Sequence, residues 1–294
     1  MVFAVHISDG VIAGPWLVVG WVLAAGVVAV ASWRVRDADV SRIGVLTAAF
    51  FVGSLIHLKL GAVSAHLLLN GLLGVVLGVR AGLAIAVGLL LQALLFGHGG
   101  VTTLGVNVAV YAPPAMLCGL VCGPLRRSGL VRVPAVRFAL VFVAAVVLLG
   151  TAVLVAQWLQ VALTSGREHF PADPAAWWVC HPIVVVAVVL GAAAAAVAER
   201  WIEADPEFAV GLLLGGATAY ATVGLNVLWL AVAGLPAVRP MAGVALFINL
   251  PVVLVEAVGV GFVLAFLAKA RPEWVGGPVG HSGTGNTSSN GTSH

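Results

Sequence analysis

Uninterrupted apolar runs follow one another along most of this chain, each close to the roughly 20 residues a helix needs to cross a ~30 Å hydrocarbon layer. Backbone placed in hydrocarbon must satisfy its own hydrogen bonds, so only helices and closed barrels span a membrane. Barrel strands alternate apolar and polar residues. These runs do not alternate, and they are rich in Ala, Leu and Val, so they read as helices. Composition agrees: 62% of the residues are hydrophobic and 9% charged, against about 25% charged in a soluble domain. The expected fold class is all-α, a polytopic transmembrane helix bundle.

The spans are expected at 14–33, 41–58, 63–79, 81–97, 105–125, 135–163, 177–198, 207–233 and 240–269, about nine in all. Residues 1–275 then form the transmembrane domain. Residues 276–294 are rich in Gly, Ser, Thr and Asn, carry no apolar run, and are expected to be a disordered tail. The first run leads into a charged loop and lacks a basic segment before it, so it is read as a retained span and not a cleaved signal.

Basic residues set the orientation. One set of loops holds Arg34, Arg36, Arg42, Arg80, Arg126, Arg127, Arg132, Arg137, Arg200, Lys269 and Arg271, while the opposite set holds Lys59, Arg167 and Arg239. The positive-inside rule therefore puts the N-terminus outside and the C-terminus, with its tail, in the cytoplasm. Glu199, Glu203, Asp205 and Glu207 crowd the loop around Arg200, but acidic residues weigh little in that rule. A net charge of +3 spread over such scattered positions argues against a nucleic-acid partner. Of the 3 cysteines, Cys118 and Cys122 sit one helical turn apart in an apolar run and read as small packing residues. With Cys180 they form no disulfide or metal framework.

On this topology His6, His57, His66, His98, His169 and His181 all fall on the outer side. Imidazole is the commonest transition-metal ligand, and it desolvates cheaply when neutral. Four segments give that face more definition. In Gly61–Gly78, the positions His66, Asn70, Gly74 and Gly78 recur every fourth residue, which on one helix gives a polar end and a small-residue stripe. A ligand face and a plain packing face fit this segment equally well. In Gln92–Asn107, Gly97, Gly99, Gly100 and Gly105 surround His98 and allow positive φ or close backbone approach. The stretch lacks the basic residue and strand–helix setting of a phosphate loop, and suits the lining of a small-ion site. At the N-terminus, His6 precedes Ser8-Asp9-Gly10, where Ser8 or Asp9 is expected to cap a short helix. In the last span, Glu256 lies near mid-membrane with Asn249 on the same face. An ionised carboxylate there needs a partner, and a structural hydrogen bond to another helix or subunit is favoured over a proton relay.

Together these segments resemble the CbiM/NikM family, the substrate-binding membrane components of energy-coupling-factor transporters for cobalt and nickel. The resemblance rests on His6–Gly10, on Ser64–Gly78 (Ser-x-His-Leu running into Gly-Leu-Leu-Gly), on Gln92–Asn107, and on Pro251–Glu256 followed by Arg271-Pro272-Glu273. It is dense over 5–125 and 249–274. Two features depart from it. The family core has about seven spans, so two of those between 135 and 233 are extra, and five residues stand before His6 where the family has one.

The resemblance implies a non-enzymatic capture subunit, with Co(II) or Ni(II) as transported substrate and no organic cofactor. It implies His6 and His66 as ligands, joined by an N-terminal amine at Val5 if the mature chain starts there. A valine codon read as a start would give that. Asp9, His98 and Asn107 are candidates to orient the N-terminal loop; Asn70, Gly74, Gly78 and Glu256 are structural or partner-contact candidates. The implied partners are a transmembrane coupling protein, cytoplasmic ATPase subunits, a small accessory membrane subunit and the bilayer of a bacterial or archaeal inner membrane. Two rival readings fit the sequence less well. A gradient-driven secondary transporter would favour inverted repeats, and none is evident. An intramembrane metalloenzyme would need a His-Glu-x-x-His segment or an acidic base beside His66, and neither is present.

Overall fold

A computed structural model of the chain describes residues 6–33, 35–55, 57–60, 63–130, 133–143, 206–236, 238 and 241–275, with isolated positions between 145 and 193 and the strands by their backbone. The expected spans 135–163, beyond its first residues, and 177–198 lie outside that set, as do Val5, His169, Cys180, His181 and the tail 276–294. Each of the other expected spans overlaps a described helix. These are α1 (Gly14–Ser32), α2 (Asp37–Ser54), α3 (Asn70–Leu77), α4 (Ala81–Phe96), α5 (Leu104–Ser128), α6 (Pro134–Val143), α7 (Pro206–Ala233) and α8 (Met241–Ala270). Among the described residues five helical stretches are long and apolar enough to cross a membrane. The protein is a multi-pass membrane protein of the expected helical class.

Local chemistry explains most of the boundaries. Pro15 opens α1, where a missing N–H costs nothing. Asp37 and Asp39 occupy the first turn of α2, and Asp39 Oδ2 accepts the Arg36 N–H at 3.1 Å. Arg126 and Arg127 end α5, with Gly129 in the left-handed conformation just beyond.

The burial pattern is that of a membrane fold. Val18, Val22, Leu94, Leu95, Phe262 and Phe266 point outward, whereas Asn70, Gln92, Asn107, Thr218, Thr222, Asn249 and Glu256 are buried. Helices approach through small residues. A side chain at Gly74 would strike the Ala115 carbonyl, one at Gly119 would strike Gly78, and one at Gly211 would meet Val260 and Gly261.

Two ends of the bundle differ sharply. At one, Arg80 pairs with Asp39 at 3.0 Å, Arg126 grips Glu207 through two contacts of 2.6 and 3.0 Å and also donates to the Val275 carbonyl, and Arg42 lies over Trp274. At the other lie the N-terminal loop, the glycine run 97–100 and the α7–α8 connection. There Ala13 N–H donates to the Ala233 carbonyl and Leu235 N–H to that of Val11, both at 3.0 Å. The chain reverses at Gly78–Arg80. Gly53 of α2 packs on Leu69, Arg80 returns to Asp39, and Gln92 of α4 reaches Ser54 at 2.5 Å, so α2 and α4 run the same way with α3 descending between them.

One stretch departs from expectation. Residues 63–69 do not begin a helix. His57–Leu60 and Val63–His66 pair as an antiparallel hairpin, with His57 opposite His66, and α3 starts only at Asn70. Hence His66, Asn70, Gly74 and Gly78 do not share one helix face: only Asn70 and Gly74 do, and Gly78 follows the helix with φ +62°. Leu69 has φ 51° and makes the break; it is the one non-glycine with positive φ among the described residues.

Candidate metal centre

The N-terminal loop is held down by α5. One turn into that helix, the Asn107 amide faces Ile7 as a neighbouring strand would: Oδ1 accepts the Ile7 N–H and Nδ2 donates to the Ile7 carbonyl, both at 2.9 Å. Both groups are buried, so pairing them removes the penalty of leaving them dry. Thr103, fully buried, sets its hydroxyl among the carbonyls of Ile7 (2.8 Å) and Gly99 (2.5 Å) and the Asp9 carboxylate (3.2 Å). Its single proton serves one of these at a time.

Asp9 caps a helix, though not the one expected. The first helix begins after Ala13 with no side-chain cap. Asp9 Oδ1 instead accepts from the Thr102 hydroxyl at 2.5 Å and the Thr103 N–H at 3.1 Å, at the start of α5. Partial burial pushes the Asp9 carboxyl upward, but the hydrogen bonds from Thr102 and Thr103 outweigh it and hold the group below its ordinary value of 3.8.

The loop thus fixed buries His6, which is 3% exposed. Its ring lies edge-on to His98, with centroids 4.8 Å apart, and flat on Tyr111, with centroids 4.9 Å apart and planes 15° from parallel. The glycine run makes room for this. Gly99 has φ +81°, and a Cβ there would come within 3.4 Å of His6 Cβ and 3.1 Å of Asn107 Nδ2. A Cβ on Gly100, φ +92°, would overlap the Asp9 carboxylate. Tyr111 was not among the sequence candidates. Its signal is its place four residues after Asn107, on the same face of α5.

His66 stands on the hairpin at this same end of the bundle. Four residues on, the fully buried Asn70 extends Nδ2 to the Tyr111 carbonyl at 3.4 Å and to the Thr222 hydroxyl at 2.5 Å. The residue beneath His6 is therefore also the one that receives the start of α3. Glu256 of α8, 3% exposed, accepts the N–H groups of Leu68 and Leu69 on one oxygen, at 2.5 and 2.8 Å. So His6, Asp9, His98 and Asn107 come together with Tyr111, and Asn70 and Glu256 support the hairpin side. Gly74 and Gly78 lie lower, packed on α5. Among the described residues no three His, Cys, Asp or Glu side chains form a cluster able to hold a metal. A site at His6 would need donors from outside that set, such as backbone nitrogen or His66.

Residues 6–207 match the family described as the cobalt uptake substrate-specific transmembrane region, CbiM. The chain belongs to the CbiM family. A relative from Haemophilus influenzae named for metal transport is 41% identical over 112 residues, covering 38% of this chain and 54% of that protein. A fused protein of Archaeoglobus fulgidus named for nickel transport, NikMN, is 35% identical over 106 residues, 35% of this chain and 36% of that protein. A Halobacterium salinarum protein named CbiM, for cobalt transport, is 37% identical over 112 residues, 35% of this chain and 50% of that protein. The chain spans about half the length or less of the curated relatives it matches. The CbiM match takes in the N-terminal loop, the hairpin, the glycine run and α5, and it ends at the start of α7. The helix that carries Glu256 lies beyond it.

Proposed function

We propose that this chain is the membrane-embedded, substrate-specific component of an ATP-driven uptake system for Co(II) or Ni(II), binding the metal at the outer face of a bacterial or archaeal inner membrane. The observation that carries the reading is the buried His6 ring, set between His98 and Tyr111 on a loop whose next residue is clamped by Asn107. A chelating N-terminal segment needs this kind of preorganisation, because a free terminus would lose its ordering entropy on every capture.

In this reading His6 and His66 supply imidazole nitrogens, and an amine at Val5, in a mature chain that begins there, closes the chelate with the His6 backbone nitrogen. Four nitrogens near one plane suit Ni(II), and by geometry Cu(II). Asp9, His98 and Asn107 hold the loop. Charge placement supports the orientation, since the basic end of the bundle is the one opposite the histidines. No P-loop segment is present in the sequence, so energy comes from ATPase subunits through a transmembrane coupling protein, with a small accessory membrane subunit. The work is transport and not catalysis.

Metal analysis and calorimetry of the purified protein test this. One tightly bound Ni(II) or Co(II) per chain is the expected result, and no binding above that of a His6→Ala variant sinks it.

A further inference from the structure

The hairpin that carries His66 has its lower end fastened by a residue 188 positions away. Glu256 places a single carboxylate oxygen against two successive backbone N–H groups, at 2.5 Å from Leu68 N and 2.8 Å from Leu69 N. Two adjacent amides converging on one acceptor form a small anion-binding concavity. They do so just ahead of α3, where the helix's own dipole favours negative charge. Leu69 adopts φ 51° and ψ 4° there, a conformation that a leucine does not hold unaided. Its side chain wedges against Gly53, where a Cβ would collide with it. Immediately after it, Asn70 is tied to the Tyr111 carbonyl and to Thr222.

From these contacts we propose that Glu256 is a positioning residue for metal capture. It latches the 66–69 segment to α8 and so sets the His66 backbone against the His6 half of the site. The proposal rests on the assignment of His6 and His66 as ligands, and it adds a residue of a helix outside the family match. Three independent features share the job of defining the bend: the two amides on Glu256, the Leu69 wedge at Gly53, and the Asn70 tether. Of these three features, Glu256 is the one supplied by α8, so it ties the segment after the hairpin to that helix by hydrogen bonds. A shift of α8 against α3 is thereby transmitted to the His66 side of the site, which is a route to release.

The test compares Glu256→Gln and Glu256→Ala with the parent chain in detergent, with Ni(II) as the probe. Two quantities are read: the Ni(II) dissociation rate, and amide hydrogen exchange in peptides covering 57–70 and 6–13. The glutamine keeps the side-chain volume and one neutral acceptor oxygen, so it preserves the packing while weakening two charge-assisted bonds. Expected for Glu256→Gln are faster exchange over 57–70, unchanged exchange over 6–13, and Ni(II) release faster by about tenfold. Glu256→Ala is expected to exceed it in both. Parent-like exchange and release in Glu256→Gln overturn the proposal. A separate His66→Ala chain divides the two readings: if it binds Ni(II) like the parent, the ligand assignment fails, whereas exchange at 57–70 still reports on the latch.

Discussion

Asn107 and Ile7 are joined by a two-way amide contact, each bond 2.9 Å long, across 100 residues of sequence. The side chain stands in for a strand, and it fixes the residue after His6. Replacing Asn107 with leucine keeps the volume but strips both partners from Ile7. Each buried orphan costs about 1–3 kcal/mol, so this substitution is expected to lower thermal stability measurably and to weaken Ni(II) binding by at least about tenfold. Calorimetry on the folded variant checks it; parent-like affinity would show that the loop needs no clamp.

His66→Ala is expected to abolish high-affinity Ni(II) or Co(II) binding while leaving helix content and elution volume unchanged. His66 sits at the strand position opposite His57, outside the helices whose packing holds the bundle together. Unchanged metal stoichiometry would remove it from the ligand set.

The pH response follows from signs. Asp9 is held below 3.8 by the Thr102 and Thr103 hydrogen bonds. A carboxyl depressed in the folded state stabilises it fully above its unfolded value, and loses that contribution only as pH falls through the lowered one. Asp9 therefore stays ionised throughout pH 5–8. If imidazoles hold the metal as proposed, protons compete for their nitrogens in that range, the ordinary imidazole pKa being about 6.5. Retention of Ni(II) is expected to fall below about pH 6.5, with the same midpoint in Asp9→Asn. A midpoint displaced in that variant would place Asp9 in the titration.

Orientation can be tested at the tail. With the three native cysteines replaced, a cysteine introduced as Ser282→Cys is expected to react with an impermeant maleimide only after the membrane is opened. Reaction in intact cells would invert the topology and move the histidine end to the cytoplasm.

Gly100→Ala is expected to disturb the loop more than Gly97→Ala. Both positions have positive φ, but a methyl group at Gly97 meets nothing within 4 Å, while at Gly100 it overlaps the Asp9 carboxylate. Comparing Ni(II) affinities of the two variants separates backbone strain from the lost packing of loop on loop, and equal losses would assign the effect to strain alone.

Much of this architecture was legible because membranes simplify the code. Hydropathy located α1, α4, α5, α7 and α8, and the Arg80, Arg126 and Arg271 positions gathered at one end as charge bias predicted. The hairpin was not found, although His57-Leu58-Lys59-Leu60 alternates polar and apolar residues and is followed by Gly61. The surrounding apolar runs outweighed that short signal. Nothing local marks Leu69 for a left-handed conformation, since the contacts around it, from Glu256, Gly53 and the Asn70 tether, come from across the bundle. Acceptance by backbone amides leaves no trace in the sequence of the segment that donates them, so Glu256 could be read as needing a partner, but not which one. Asp9 was read as a cap from its residue type; the helix it caps is distant in sequence, and proximity in the chain pointed to the wrong one.

The groups that the structure shows fixing residues 6–13 all lie far later in the sequence. Thr103 directly precedes α5 and Asn107 lies in it, and Leu235, which donates to Val11, follows α7. The segment gains its last backbone partners only once the end of α7 and the turn after it have been made. A chain stalled or truncated before that point has its His6 but no seat for it. Under the proposed reading, a copy that lacks the end of α7 carries His6 without the contacts that seat its loop, and is expected not to retain metal.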